Sequence, residues 1–222
     1  MEKMLVELQN ILKDNIKIEA CDLSKVHLVA GVSISIWYDL DNAKESGACS
    51  IVVTDKTSGK IVDSAHYYQD EIEVPFIKDC TEFRELPLLL ATLDKLSCIP
   101  DIYIIDRQGY MHPRHMGLAS YASFYLKKPV IGVTKSISDF DYSIPLREDG
   151  AWAEVMIDGD VYGRIVRIAR EYEPIFVSVG NHITLEQATD LVCELKCDMS
   201  RMPNPVYLAE EIVDSCQTGG VC

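Results

Sequence analysis

The stretch PDIYIIDRQGYMHPRH, residues 100–115, places a carboxylate where an apolar run meets a polar loop. Ile102 to Ile105 are apolar, Asp106 follows them, and Arg107, His112, Arg114 and His115 crowd the next few positions. A strand-end carboxylate can hold a hard cation, and an arginine fork matches phosphate oxygens. Metal or phosphate chemistry is therefore one use for such a stretch. The simpler use of Asp106 is to cap the loop amides of residues 107–109. Read singly, Glu85 is an ordinary solvated helix acid and Lys135 the exposed end of an apolar strand. Tyr67, Tyr68, Tyr121 and Tyr125 read as packing residues.

The elements that must position these groups alternate in type. MEKMLVELQNILKDNIKIEA spaces apolar residues as an amphipathic helix within residues 1–20. VHLVAGVSISIWYDL, GACSIVVTD and KIVDSAHYYQDEIEV predict an antiparallel meander. CTEFRELPLLLATLDKL predicts a helix capped by Thr81, with Pro87 disturbing its first turn. DIYIID reads as a buried, parallel-type strand and PVIGVTKS as a further buried strand, with a helix over PRHMGLASYASFYL between them. A hairpin turning at Asp158-Gly159, the strand PIFVSVG and a helix capped by Thr184 complete the pattern. Meander followed by strand–helix–strand units predicts one domain over residues 1–222, a mixed α/β sheet flanked by helices. Residues 212–222 are expected to form a flexible tail.

Composition narrows the setting. Against 21 Lys and Arg stand 35 Asp and Glu, for a formal charge of −14. Tight non-specific nucleic-acid binding draws on cationic neutralisation of phosphates, so this balance opposes it. A local basic groove from Arg107, Arg114, Lys127, Lys128 and Lys135 remains open. No apolar run reaches the roughly 20 residues of a membrane span, and no signal peptide is evident, which predicts a cytoplasmic protein. The eight cysteines include no CxxC pair. Cys193 and Cys197 lack a second ligand pair for zinc, so the thiols are expected to be reduced and structural.

Four stretches taken together carry a resemblance: VPFIKDCTEFRELPLL, IDRQGYMHPRHMGLASYASFYLKKPVIGVTKS, PIFVSVGNHITLEQATDLV and RMPNPVYLAE. In this order they resemble the successive motifs of endonuclease V, from about Leu28 to Ala209. The resemblance implies a ribonuclease H-like fold and Mg²⁺- or Mn²⁺-dependent cleavage of DNA or RNA near deoxyinosine or inosine. Glu85 and Asp106 match the family's metal ligands, and Lys135 the lysine assisting at the scissile phosphate. Phe76 and Ile77 match the strand-separating wedge, and His112 and Arg114 the nucleic-acid contacts. His112 equally suits a loop histidine bonded to backbone.

Five positions depart from the pattern. Ser33 stands in VAGVSIS where the family has an Asp ligand. Asn181 stands in SVGN where the family has SxGH, with His182 one residue later on the opposite face of an extended chain. Arg107 replaces the glycine after Asp106, in space a flat base would need. Lys78-Asp79 replaces the stiff Pro-Gly of the wedge. Losing a carboxylate at Ser33 weakens a site for a hard ion, and losing an imidazole at Asn181 removes a proton carrier. Asp39 and Asp41 lie too far along the strand to replace the lost acid. The expectation is a nuclease of weak or lost activity. The alternative is a degenerate member that binds nucleic acid, or that binds a protein partner instead.

Overall fold

The computed structural model describes residues 1–40, 43–137 and 140–218, so Asp41 and residues 219–222 of the expected tail lie outside it. The chain begins with α1 (Glu2–Leu12), shorter than the expected 1–20. The meander follows as β1 (Leu28–Asp39), β2 (Lys44–Asp55) and β3 (Ile61–Gln69). Next come α2 (Glu82–Leu93), β4 (Ile102–Asp106), α3 (Leu118–Leu126) and β5 (Val130–Thr134). The hairpin is β6 (Ala151–Ile157) and β7 (Asp160–Arg167), and β8 (Ile175–Asn181) precedes α4 (Leu185–Glu194) and α5 (Asn204–Gln217).

The strands form one eight-stranded mixed sheet in the order β3-β2-β1-β4-β5-β8-β7-β6. Its centre, β1-β4-β5, is parallel, and β8 runs antiparallel to β5. Alternation divides the core between two faces. Ala30, Val32, Ile34, Tyr103 and Ile105 pack with α2 and α3, whereas Val29, Ile102, Ile104 and Ile131 pack with α4 and α5. Burial on both faces explains why the central strands read as continuous apolar runs.

Local chemistry fixes the details that matter for the strand ends. Thr184 caps α4 as the sequence predicts, and Gln187 completes a reciprocal capping box. Thr81 makes no side-chain cap. Instead, backbone bonds from Arg84 and Glu85 to the Thr81 carbonyl close the first turn, and the helix continues through Pro87. The helix expected over residues 113–126 begins only at Leu118. His115 has φ +58°, and a Cβ at Gly117 would lie 2.3 Å from the Gln108 carbonyl oxygen, so this segment packs as a loop. The expected tail is also corrected: α5 carries the chain in helical form to Gln217. Pro205, Val206, Ala209, Val213 and Cys216 are buried along it. The described segments contain no helix long and apolar enough to cross a membrane.

Candidate active site

Asp106 closes β4 at the C-terminal edge of the parallel centre, where α/β sheets commonly place ligands. Val32 pairs with Ile105, so Ser33 and Asp106 are the next residues along neighbouring strands. On the other side Asp106 is in register with Val133, two residues before Lys135. Sequence reasoning thus brought Ser33, Asp106 and Lys135 together, and the fold does the same.

It missed a third acid. Glu210 on α5 has its carboxylate 2.7 Å from Lys135 Nζ and close enough to Asp106 for the two acids to act on each other. Close packing brings α5 here: a Cβ on Gly31 would lie 2.1 Å from the backbone of Pro205, so glycine lets the helix rest directly on β1. Burial pushes the Glu210 carboxyl above its ordinary range; the Lys135 bond opposes the rise and the Asp106 charge adds to it. The signal was present in the chain. Glu210 falls between Ala209 and Val213 on a stripe of apolar residues at helical spacing, a position that rarely holds an acid without a partner.

Glu85 reaches the same strand end from the opposite face, and Arg107 lies against it. Arg107 Nε donates to Glu85 Oε1 at 2.7 Å, Nη1 to the Asp106 carbonyl at 2.7 Å, and Nη2 to the Ile34 carbonyl at 2.6 Å. Nη1 also stands 3.9 Å from Asp106 Oδ2. Burial works against the guanidinium charge, but Glu85 and Asp106 outweigh it and hold the group charged well past neutral pH. The loop leaves the arginine no other direction. Gly109 N donates to Ser178 Oγ, Tyr110 N donates to the Val179 carbonyl, and a Cβ on Gly132 would meet the Arg107 carbonyl oxygen at 2.6 Å. With its backbone pinned over β5 and β8, residue 107 sends its side chain toward β1 and α2.

The residues here do not fit a divalent ion. Mg²⁺ takes six oxygens in near-octahedral array, and anionic ones by preference. Glu85 Oε2 is buried without a hydrogen-bond partner and would be available to such an ion. Its other oxygen and the approach to Asp106 are held by Arg107, and Ser33 presents a hydroxyl where a carboxylate was expected. Among the described residues, no group of three or more His, Cys, Asp or Glu side chains is arranged so that it could hold a metal ion.

Two small cavities flank Arg107. One, of about 190 Å³, is lined by Phe76, Ile36, Glu45, Arg84, Glu85 and Arg107. The other, of about 140 Å³, is lined by Glu82, Glu85, Arg107, Gln108, His112 and Leu118 among others. Both fall below the roughly 300 Å³ at which sites for whole ligands begin. Phe76 is 65% exposed at the rim, while Ile77 is half-buried.

The remaining expected contacts fall differently. His112 is buried, and its Nδ1 accepts from the Arg114 amide at 3.2 Å while the residue lines the smaller cavity. Arg114 points into the scaffold: it donates to Gln9 Oε1 and the Asp79 carbonyl, tying α1 to the loop that carries Phe76. Gln9, fully buried, donates in turn to Glu82 Oε1 and the Asp79 carbonyl. Burial pushes the Glu82 carboxyl up to about 8. Asn181 is a correction. It pairs with Val130 at the other end of β5, accepts from the Lys17 amide and donates to Ser123 Oγ. Neither it nor His182, whose Nδ1 lies 2.9 Å from Glu19 Oε1, comes near Asp106 in register.

The family model for endonuclease V matches residues 10–211. An endonuclease V of Clostridium acetobutylicum is 42% identical over 188 residues, covering 83% of this chain and 79% of the relative. The crystal structure of endonuclease V from Bacillus subtilis superposes with a TM-score of 0.93 at 34% identity, covering 99% of this chain and 93% of that one. A Ciona intestinalis endonuclease V, solved with a 24mer DNA containing an inosine followed by a ribo-adenosine, superposes with a TM-score of 0.76 at 23% identity, covering 99% of each chain.

Proposed function

Since the chain belongs to the endonuclease V family and has its ribonuclease H-like fold, we propose that it engages inosine-containing nucleic acid and hydrolyses it slowly or not at all. The observation that carries this reading is the placement of Phe76. An exposed aromatic stands at the rim of a cavity whose other wall is the Glu85–Arg107 pair beside Asp106. A wedge of this kind can enter a base step and displace a base toward a neighbouring recess. The Ciona relative's DNA complex supplies the ligand class to be tested.

Slow chemistry follows from the groups at the strand end. Phosphodiester hydrolysis needs charge stabilised at the attacking and leaving oxygens. Lys135 and Arg107 are the cations at hand, and each is already paired with a carboxylate. Ser33 adds a hydroxyl without charge. Glu210, raised by burial and by the neighbouring Asp106 charge, is the acid best placed to hold or release a proton there.

The test uses single strands that differ only at one inosine, as DNA and as RNA, with the whole chain. Expected are preferential binding of the inosine strand, weakening steeply with salt, and product formation far slower than that of a relative with a carboxylate at the Ser33 position. Equal affinity for both strands would overturn the binding half. Cleavage as fast as the relative's would overturn the kinetic half.

A further inference from the structure

We propose that the Arg107 guanidinium is the resident cation of this centre, standing where a divalent ion would otherwise have to balance Glu85, Asp106 and Glu210. The inference rests on the family reading but concerns what holds the acids together, whatever the protein binds. Three carboxylates approach one strand end from three elements: Glu85 from α2, Asp106 from β4 and Glu210 from α5. Unbalanced, such a set would repel or take up protons. The structure supplies two positive side chains, with Lys135 on Glu210 and Arg107 on Glu85 and Asp106.

Arg107 is built in rather than resting on the surface. Its fork is fixed by three bonds to three different elements, at 2.7, 2.7 and 2.6 Å. The Ile34 carbonyl on β1 is one acceptor, one residue from Ser33. That strand therefore meets the cation with a neutral carbonyl and contributes no charge. A guanidinium suits this role because it stays protonated throughout the working pH range and satisfies several acceptors at fixed geometry. Once it is seated, a divalent ion would have to expel a held charge before reaching Glu85. A hydroxyl rather than an acid at residue 33 of β1 and a base at residue 107 after β4 both lower the need for a metal.

The test is metal binding by the free protein, without nucleic acid, so a failed substrate assay does not affect it. Wild type should give no binding heat and an unchanged melting temperature between chelator and millimolar Mn²⁺. Arg107→Gly should melt lower in chelator, recover in Mn²⁺, and bind the ion at least tenfold more tightly than wild type. Adding Glu85→Gln to that variant should abolish the gain. A wild-type melting temperature that rises with Mn²⁺, with the rise lost in Asp106→Ala, would overturn the proposal. So would a folded Arg107→Gly that binds Mn²⁺ no better than wild type. If Arg107→Gly does not fold, Arg107→Gln answers the same question, since it also vacates the charge, and the wild-type titration still decides on its own.

Discussion

Lys135 Nζ and Glu210 Oε1 lie 2.7 Å apart, joining the end of β5 to the inner face of α5 beside Asp106. The pair spans 75 positions of chain (210 − 135) and closes one side of the acidic cluster. Lys135→Met should expose what it does. Lys135 is itself 42% exposed, so solvent screens the pair and the loss should be about 1 kcal/mol. In a Glu210→Gln background the same change should cost close to nothing. Urea melts of the four proteins in the cycle measure the coupling, and simple additivity would show that the contact holds nothing.

Gln9 contributes to the wedge from a distance. Its amide joins Glu82, the Asp79 carbonyl and Arg114, so α1, the loop after Phe76 and the loop after Met111 share one buried side chain. Gln9→Ala would leave those three groups short of a partner, at roughly 1–3 kcal/mol for a buried polar group left unsatisfied. The expected loss is about 2–3 kcal/mol. Hydrogen exchange in residues 76–81 should rise with it. A variant that loses stability without faster exchange there would place the effect in α1 alone.

Glu82 makes stability depend on pH in a definite direction. Its folded value, about 8, lies above the ordinary 4.5 because burial disfavours the charged form. The unfolded chain releases that proton first, so the contribution is whole below about pH 4.5 and is lost as pH rises through 8. Denaturant midpoints should therefore decline between those limits, and Glu82→Gln should flatten that decline while keeping an acceptor for Gln9. A decline that is unchanged in Glu82→Gln would assign it to another group.

The central strands were legible because burial on both faces leaves an unmistakable apolar run, and Asp158-Gly159 announced its hairpin with the left-handed backbone that turn requires. Ser33, Asp106 and Lys135 could be brought together because the resemblance assigns them to one centre, and the fold agrees because neighbouring parallel strands end at one edge. Other features depend on contacts that no local pattern records. Gly117 and Gly109 look like ordinary loop glycines until the Gln108 and Val179 carbonyls are found against them, and that packing is what turned the expected start of α3 into a loop. Arg107 could be recognised as out of place, but the direction of its side chain follows from the pinning of residues 109 and 110 to β8. Asn181 was misplaced because a strand shows its residue types without showing which end meets the site.

That last point gives a sharp contrast between two substitutions. Asn181→His restores an imidazole in sequence but puts it beside Lys17 and Ser123, at the Val130 end of β5. It should leave cleavage of an inosine strand unchanged. Removing the acceptor for Lys17 and the donor to Ser123 should cost about 1–3 kcal/mol. Ser33→Asp puts a carboxylate next to Asp106, yet Arg107 still holds Glu85, so alone it should add little. With Arg107→Gly as well, four carboxylates meet at one strand end with only Lys135 to offset them, and cleavage in Mg²⁺ should rise at least tenfold over wild type. Single-turnover assays on the four proteins separate these cases. A gain from Asn181→His would mean that the end of the sheet at Val130, and not the end at Asp106, carries the chemistry.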